Sequence, residues 1–346
     1  MAASLLWSAR SLLRPAATME VATCERIGKA DMLWASSRRA LMLLATLLLV
    51  SALAFLVPYM TEGDPARAIL LSRMGSDQGI DPAALQQLRH ELGLDRSMAV
   101  QYASWLWDAL RGDLGRSYVN HMPVFGQIAR ATTVSLLLAL SALGTALVVA
   151  LPLGTLAAMR PGSRLDSALT LLIQVFVATP EYWLAPVAIF VFALSFHLLP
   201  SAGWNGPSSI VLPAFVLTLR PLAYFAQVTR AAMGDVLQSP FITAARSRGL
   251  SWGETVVRHG LRNGTMPVIT LFALWLAGLL GGSVVVEVIF SVPGMGRLIY
   301  EALVNKDLPM LQGAFVCIVG LSVLINTAAD FGYVLLNPVL RPGRGR

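Results

Sequence analysis

The stretch TAARSRGLSWGETVVRHGLRNGTMP, Thr243 to Pro267, carries five ionised side chains, Arg246, Arg248, Glu254, Arg258 and Arg262, between two long runs with hardly a charge in either. Just ahead of it, Ser239-Pro240 has the form of a helix start, a capping hydroxyl followed by proline in the first turn. Phe241 to Arg248 then makes about two turns, and Gly249 supplies the usual left-handed stop. Ser251-Trp252-Gly253-Glu254 is a capping-box pattern that opens a second short helix through His259. The segment is expected to be a helix, a Gly-Leu elbow and a second helix. Ala244 and Ala245 would make one face small enough for another surface to approach closely, with Arg246, Arg248 and Arg258 forming a cationic rim. The plain alternative is a solvated basic loop.

Composition says what surrounds this loop. The chain is 56% hydrophobic and only 13% charged, against about 25% charged in soluble domains. It has too little polar side chain to cover a water-soluble surface of its size, so it is expected to be an all-α integral membrane protein. A crossing helix needs about 20 mostly apolar residues. Six runs qualify: Ala40 to Thr61, Ala131 to Met159, Ser167 to Leu199, Ile210 to Thr229, Asn263 to Val286 and Leu308 to Ala329. The third counts once only if Pro180 and Pro186 do not break it into a hairpin, which would give seven.

Positively charged short loops stay in the cytoplasm. Six spans place Arg38, Arg39, Arg160, Arg164, the 230–262 loop and the tail arginines Arg341, Arg344 and Arg346 there. The outer pieces are residues 62–130, where eight acids offset seven arginines, and 287–307, where Glu287, Glu301 and Asp307 offset Arg297 and Lys306. Seven spans would put the basic loop outside, so six spans with both termini in the cytoplasm fit better. The expected divisions are a cytoplasmic arm at 1–37, a first span at 38–61, an outer helical segment at 62–130, a five-helix core at 131–336 and a cytoplasmic tail at 337–346.

The net charge of +7 then reflects inward-facing loops near anionic lipid and calls for no nucleic acid. Cys24 in the arm and Cys317 in the last span make no disulfide framework. The first span is not read as a cleaved signal peptide, because Pro58 to Asp64 looks like a helix exit with no small-residue cleavage site. Met19 and Met32 stand as alternative translation starts, since Met32 just precedes the basic pair where a first span would naturally begin.

The spacing within the opening stretch resembles that of a known family. An alanine pair, three residues, a glycine and a proline eighteen residues further on, as in Thr243-Ala244-Ala245, Gly249 and Pro267, resembles the EAA loop of ABC-importer permeases in its peptide-permease form. LGLDRSMAVQYASWLWDALRGDLGRSY (Leu92 to Tyr118), ATPEYW (Ala178 to Trp183), EVIFSVPGMGRLIYEALVNKDLPMLQG (Glu287 to Gly313) and DFGYVLLNPVLR (Asp330 to Arg341) are similar to that family in the same order, from about residue 38 to the end. Thr243 stands where the motif name expects glutamate, and Asn337 where an aspartate is usual before Pro338. Arg220, within the fourth run, is unusual.

The resemblance implies a six-helix type I importer permease, one of two homologous permease subunits in a bacterial inner membrane. It implies as partners two ATP-binding cassette subunits carrying ATP and Mg, and a periplasmic substrate-binding protein. Thr243, Ala244, Ala245, Arg246, Arg248, Gly249, Glu254 and Arg258 would dock in the ATPase and transmit its closure. The cargo class would be dipeptides, longer peptides, glutathione, nickel or metal chelates, with peptides the default. The closest resemblance is to the first of two permease subunits, which implies a heterodimer.

The residues themselves point to no covalent chemistry. There is no Walker lysine motif, HExxH, nucleophile elbow or CxxC, and His90, His121, His197 and His259 are scattered. No catalytic, cofactor or metal residue is assigned. A self-sufficient proton-driven transporter using Glu181 and Asp330 is the rival reading, weakened by the lack of a visible inverted repeat.

Two charges lie inside the runs, where each costs at least about 2.5 to 3.5 kcal/mol. Glu181 is about 22 Å from Asp166 and Arg220 about 15 Å from Arg230 at helical rise. They are expected to pair, or to line the path and meet a zwitterionic substrate; otherwise Glu181 caps the helix resuming after Pro180. Pro293, Gly294 and Gly296 exclude regular helix from Ser291 to Arg297, which suits an outer gate, a re-entrant corner or a simple turn. In the outer segment, Asp81 to Leu94 has Leu85, Leu88 and Leu92 at helical spacing, and Tyr102, Trp105, Leu106 and Leu110 repeat the pattern. They suit a packed cap, a surface for a binding protein, or both.

Overall fold

The computed structural model describes residues 41–56, 66–67, 70, 81–91 and 93–336, with Glu91 and residues 330–336 described by backbone alone. Expectations placed on residues 1–40, on Leu92 and on 337–346 lie outside these residues, among them the two alternative starts, Arg38, Arg39, Cys24 and Asn337. Residues 50–330 form one compact unit, and the flanking described residues 41–49 and 331–336 belong to a second. The described residues are helical throughout, apart from turns and one isolated bridge between Arg116 and Pro123.

The centre of the larger unit is a crossing of two long helices, α4 (Val124–Met159) and α7 (Ser208–Leu237). Numbering before α4 runs α1 (Leu41–Leu56), α2 (Pro82–Glu91) and α3 (Met98–Leu110). Without a hydrophobic drive between helices in lipid, close backbone approach must hold them together, and small residues permit it. Helix α4 supplies a stripe of Ala139, Ala142, Ala146, Ala150, Gly154 and Ala157, all buried. Against it α7 lays Ala214, Leu217, Leu222, Phe225 and Ala226. A Cβ on Gly154 would stand 2.6 Å from the Ala226 carbonyl oxygen and 2.7 Å from Thr229 Cβ. No other residue fits there. Higher up, the Thr218 hydroxyl bonds to the Ala214 carbonyl of its own helix and to the Ala142 carbonyl of α4 at 3.1 Å.

The third apolar run is not one straight helix. It is α5 (Arg164–Ala178) followed by α6 (Glu181–Ser195), bent by 98° at the break. Thr179 is driven into the extended region by the proline after it, and Thr179 and Pro180 both have extended ψ, 119° and 141°. From Ile189 to Ser195, α6 widens into π-helix. The fifth run is also divided: α9 (Trp252–Gly264) meets α10 (Met266–Gly282) at 46°, and Pro267 sits in the first turn of α10. The chain then makes two short helices, α11 (Val284–Ile289) and α12 (Met295–Val304), where the sequence suggested continued span and loop. The last helix is α13 (Leu308–Leu336). Among the described residues three helices, α4, α7 and α13, are long and apolar enough to cross a membrane unbroken, the two bent pairs bring the number to five if each makes one span, and Leu41–Leu56 is a shorter apolar helix. Each of the six expected runs overlaps one of these helices or bent pairs, and the third is broken at Pro180, where the sequence left a hairpin open. Large apolar side chains such as Val148 (72% exposed) and Leu324 (66%) cover their outer faces, as lipid contact requires.

The segment ahead of α4 is a packed cap. Leu88 and Ala66 are buried together, with Leu70, Leu85, Leu94 and Tyr118 packed on them. Phe55, at the end of α1, meets Tyr102 edge-on at 5.5 Å and Trp105 at 6.0 Å, and the Tyr102 hydroxyl pairs with that of Ser51 at 2.7 Å. Leu110, expected on the same face, is instead 75% exposed. The His90 imidazole, 2.9 Å from Asp95, holds that carboxyl below the usual range. Asp307 enters this cap from the far end of the chain. It is buried, accepts hydrogen bonds from the Ser117 hydroxyl and the Tyr118 N–H, and so ties the cap to the start of α13.

Candidate functional site

The opening stretch folds as an elbow at the end of α7, which runs to Leu237 and so takes in the first residues of the 230–262 loop. Helix α8 is Pro240–Ser247, with Pro240 in its first turn. Ser239 does not cap it: its hydroxyl donates back to the Val236 carbonyl at 2.5 Å. The stop is as expected, because Gly249 has φ +89° and an added Cβ there would meet nothing within 4 Å. Glycine is needed for backbone conformation alone. The capping box at Ser251 and Glu254 is closed in both directions, with the Glu254 carboxylate bonded to the Ser251 N–H at 3.2 Å and its hydroxyl at 2.8 Å. Helix α9 then continues beyond His259 to Gly264, through a π-helical segment at Val256–Gly260.

The eight residues assigned to docking divide by environment. Ala245 is 1% exposed and packs inward, while Thr243 and Ala244 face out. The Arg246 guanidinium lies over the Trp252 ring at 5.0 Å, a cation–π contact that braces α8 against α9. Glu254 is engaged by the helix start. The outward surface is therefore Phe241, Thr243, Ala244, Arg248, Val257 and Arg258, all exposed. Behind it, α9 crosses α7 at fully buried Met233. A Cβ on Gly260 would come within 3.1 Å of Met233 Cε, and one on Gly264 closer still to its sulfur. Arg230, at the start of the 230–262 segment, is paired with Asp166 at 2.5 Å and 2.9 Å, and Gly162 N–H adds a bond to the same carboxylate. That pair joins the ends of α5 and α7 beneath the elbow.

Within the membrane span, Glu181 and Arg220 come to one place without forming an ion pair. Both line a cavity of about 360 Å³ with Leu274, Trp275, Gly278 and Gly282 of α10. A second cavity of about 190 Å³, lined by Val175, Phe176 and Trp183, reaches the same two side chains from the other side. Glu181 is half-buried and Arg220 exposed. Glu181 is the first residue of α6, where the chain bends, so the length of α5 still sets its depth.

At the other end, the residues read as a gate form a packed corner around a carboxylate that sequence reasoning left in an outer loop. Glu287 is 0% exposed. Its Oε1 accepts from the Ser135 hydroxyl of α4 at 2.6 Å and from Ser283 at 2.7 Å, and its Oε2 accepts from the Arg297 N–H at 3.1 Å. Ser135 in turn accepts from Met295 N–H at 2.8 Å. Gly294 leaves room for this knot, since its Cβ would stand 2.5 Å from both the Glu287 carboxylate and the Ser135 oxygen. A Cβ on Gly296 would stand 2.6 Å from Val284 Cα, so only glycine lets α12 pack this closely on α11. Pro293 is exposed and, with Gly294, Arg130, Arg297 and Glu301, borders an open cavity of about 650 Å³.

Two family models match consecutive parts of the chain: the N-terminal membrane component of binding-protein-dependent transport systems over residues 32–150, and the inner membrane component of those systems over residues 150–342. The chain belongs to that family. Among its relatives, the glutathione transport system permease protein GsiC of Escherichia coli O6:H1 is 34% identical over 88% of this chain and 97% of its own. The dipeptide transport system permease protein DppB of Escherichia coli K12 is 30% identical over the same shares. The membrane subunit fold is seen in the inward-facing MetNI methionine ABC transporter, whose matching chain is 20% identical with a TM-score of 0.52, covering 61% of this chain and 96% of that one. This permease thus has the type I ABC importer fold expected for it, and nothing in these likenesses supports a proton-driven transporter acting alone. The elbow lies within the matched inner membrane component.

Proposed function

We propose that this permease is one of two homologous permease subunits that carry peptides through a bacterial inner membrane, with both termini cytoplasmic. A periplasmic protein delivers the cargo and two ATP-binding subunits, which hold the ATP and Mg, drive the cycle. Peptide cargo is supported by the names of the relatives, and a heterodimer by the likeness to the first of two permease subunits. The observation that carries the mechanism is the elbow. Two helices are braced to each other by Arg246 and Trp252 and to α7 through Met233, and they turn a small, cation-rimmed surface outward.

Such a surface moves as a rigid body when a groove closes on it. Because α9 leads into α10 with one 46° bend, displacement of the elbow would be passed to α7 and α10, which flank the Glu181–Arg220 cavity. Thr243, Ala244, Arg248 and Arg258 make the contact, while Ala245, Arg246, Gly249 and Glu254 hold its shape. Purification of the chain in mild detergent tests the assembly. A second permease and ATP-binding subunits should come with it, with ATPase activity that rises when loaded binding protein is added. Purification of the chain alone, with uptake into vesicles in the absence of ATP, would overturn the proposal.

A further inference from the structure

We infer that the cavity shared by Glu181 and Arg220 binds a small zwitterion, with Glu181 taking its ammonium group and Arg220 its carboxylate. The inference rests on the permease reading and adds a ligand chemistry to the path. Arg220 lies about 18 Å along α7 from Ser208 at helical rise, well inside the hydrocarbon. A charge there is expensive, and proteins normally relieve the cost by pairing it. Here two opposite charges face one cavity and are not joined to each other. Each charge lacks a partner of the sign that the other end of a zwitterion supplies.

The rest of the cavity suits a ligand charged only at its ends. Its wall on α10 is Leu274 and Trp275 with Gly278 and Gly282, and a Cβ at either glycine would meet nothing within 4 Å. Space is left in front of α10, against an apolar surface indifferent to what lies between the charged ends. About 360 Å³ falls within the range of small-molecule sites. The adjoining cavity at Val175, Phe176 and Trp183 offers a second apolar recess to a side chain of the same ligand.

Trp275 makes the test direct. The purified permease complex, without binding protein, is titrated with alanyl-alanine, its N-acetyl derivative and its C-terminal amide, following tryptophan fluorescence, with Trp275→Phe identifying the cavity's share of the signal. Alanyl-alanine should bind at least about tenfold more tightly than either derivative, the order of one charge-assisted contact. Glu181→Gln should abolish the preference over the N-acetyl form and leave the preference over the amide. Arg220→Gln should do the reverse. No binding by the unaltered complex, equal binding of all three ligands, or the same loss for all three in each variant would overturn the inference. Co-purification and ATPase activity of the same preparation report separately on the importer reading, so the two can fail independently.

Discussion

Removing the carboxylate of Glu287 should loosen the corner between α4, α11 and α12 by an amount that follows from its contacts. In Glu287→Ala three donors lose their acceptor. The hydroxyls of Ser135 and Ser283 can rotate to carbonyls one turn back in their own helices, so each exchanges a bond to a charged group for a neutral one, about 1 kcal/mol apiece. The Arg297 N–H has no such recourse. Left buried without a partner, it costs about 1–3 kcal/mol, and the vacated volume adds to this. The three lost contacts alone sum to roughly 3–5 kcal/mol. Glu287→Gln keeps an oxygen for the two serines but turns an NH2 toward the Arg297 N–H, so it should lose about 1–3 kcal/mol. Thermal unfolding in detergent, followed by fluorescence-detected size exclusion, should rank the proteins unaltered, Gln, Ala. Glu287→Ala combined with Ser135→Ala should cost less than the sum of the two changes, because both act on one bond. Additive losses, or an alanine variant as stable as the unaltered chain, would refute the description of Glu287 as the centre of the corner.

Three further outcomes follow from the packing. Gly154→Val places a side chain where even a Cβ would stand 2.6 Å from the Ala226 carbonyl; forcing α4 and α7 apart should destabilise the fold by about 1–3 kcal/mol or more, seen in the same unfolding assay. Asp166→Asn should lower the unfolding temperature by removing the charge that holds Arg230, and Arg230→Gln added to it should cost little more. Gly249→Ala has space but a φ of +89°, so about 1–2 kcal/mol of backbone strain should appear as faster amide exchange confined to residues 247–252. Exchange spread through α7 would show that the elbow is not the local unit described.

How much of this was legible in the sequence depended on whether the determining contact was local. The capping box at Ser251 and Glu254 and the stop at Gly249 need only their neighbours, and both were found where the pattern placed them. Ser239 shows the limit of local patterns: its hydroxyl could accept from the N–H groups of the helix ahead or donate to the Val236 carbonyl behind it, and it donates backward. Ala244 and Ala245 read alike in sequence, and only the packing of α8 sends one inward and leaves the other out. The six apolar runs were visible, and the proline that divides the third was noted, but not that two successive extended residues would turn the chain by 98°. The burial of Glu287 was not legible because its partner Ser135 lies 152 residues away, nor that of Asp307, whose partners Ser117 and Tyr118 are as remote. The one local sign that the corner is packed was Pro293-Gly294-Met295-Gly296, where glycine at both positions marks close approach as readily as a turn.

The coupling role of the elbow is tested most directly by a cross-link at its outward face. Ala244→Cys, introduced into the assembled complex and treated with a short bifunctional thiol reagent, should join the permease to an ATP-binding subunit carrying single cysteines along its permease-facing groove. The yield should change between the nucleotide-free and ATP-bound states, and Ala245→Cys, facing inward, should give no product. Cross-linking of Ala244→Cys to lipid or to nothing in both states, with ATP hydrolysis unaffected by a bulky Ala244→Trp substitution, would contradict the account.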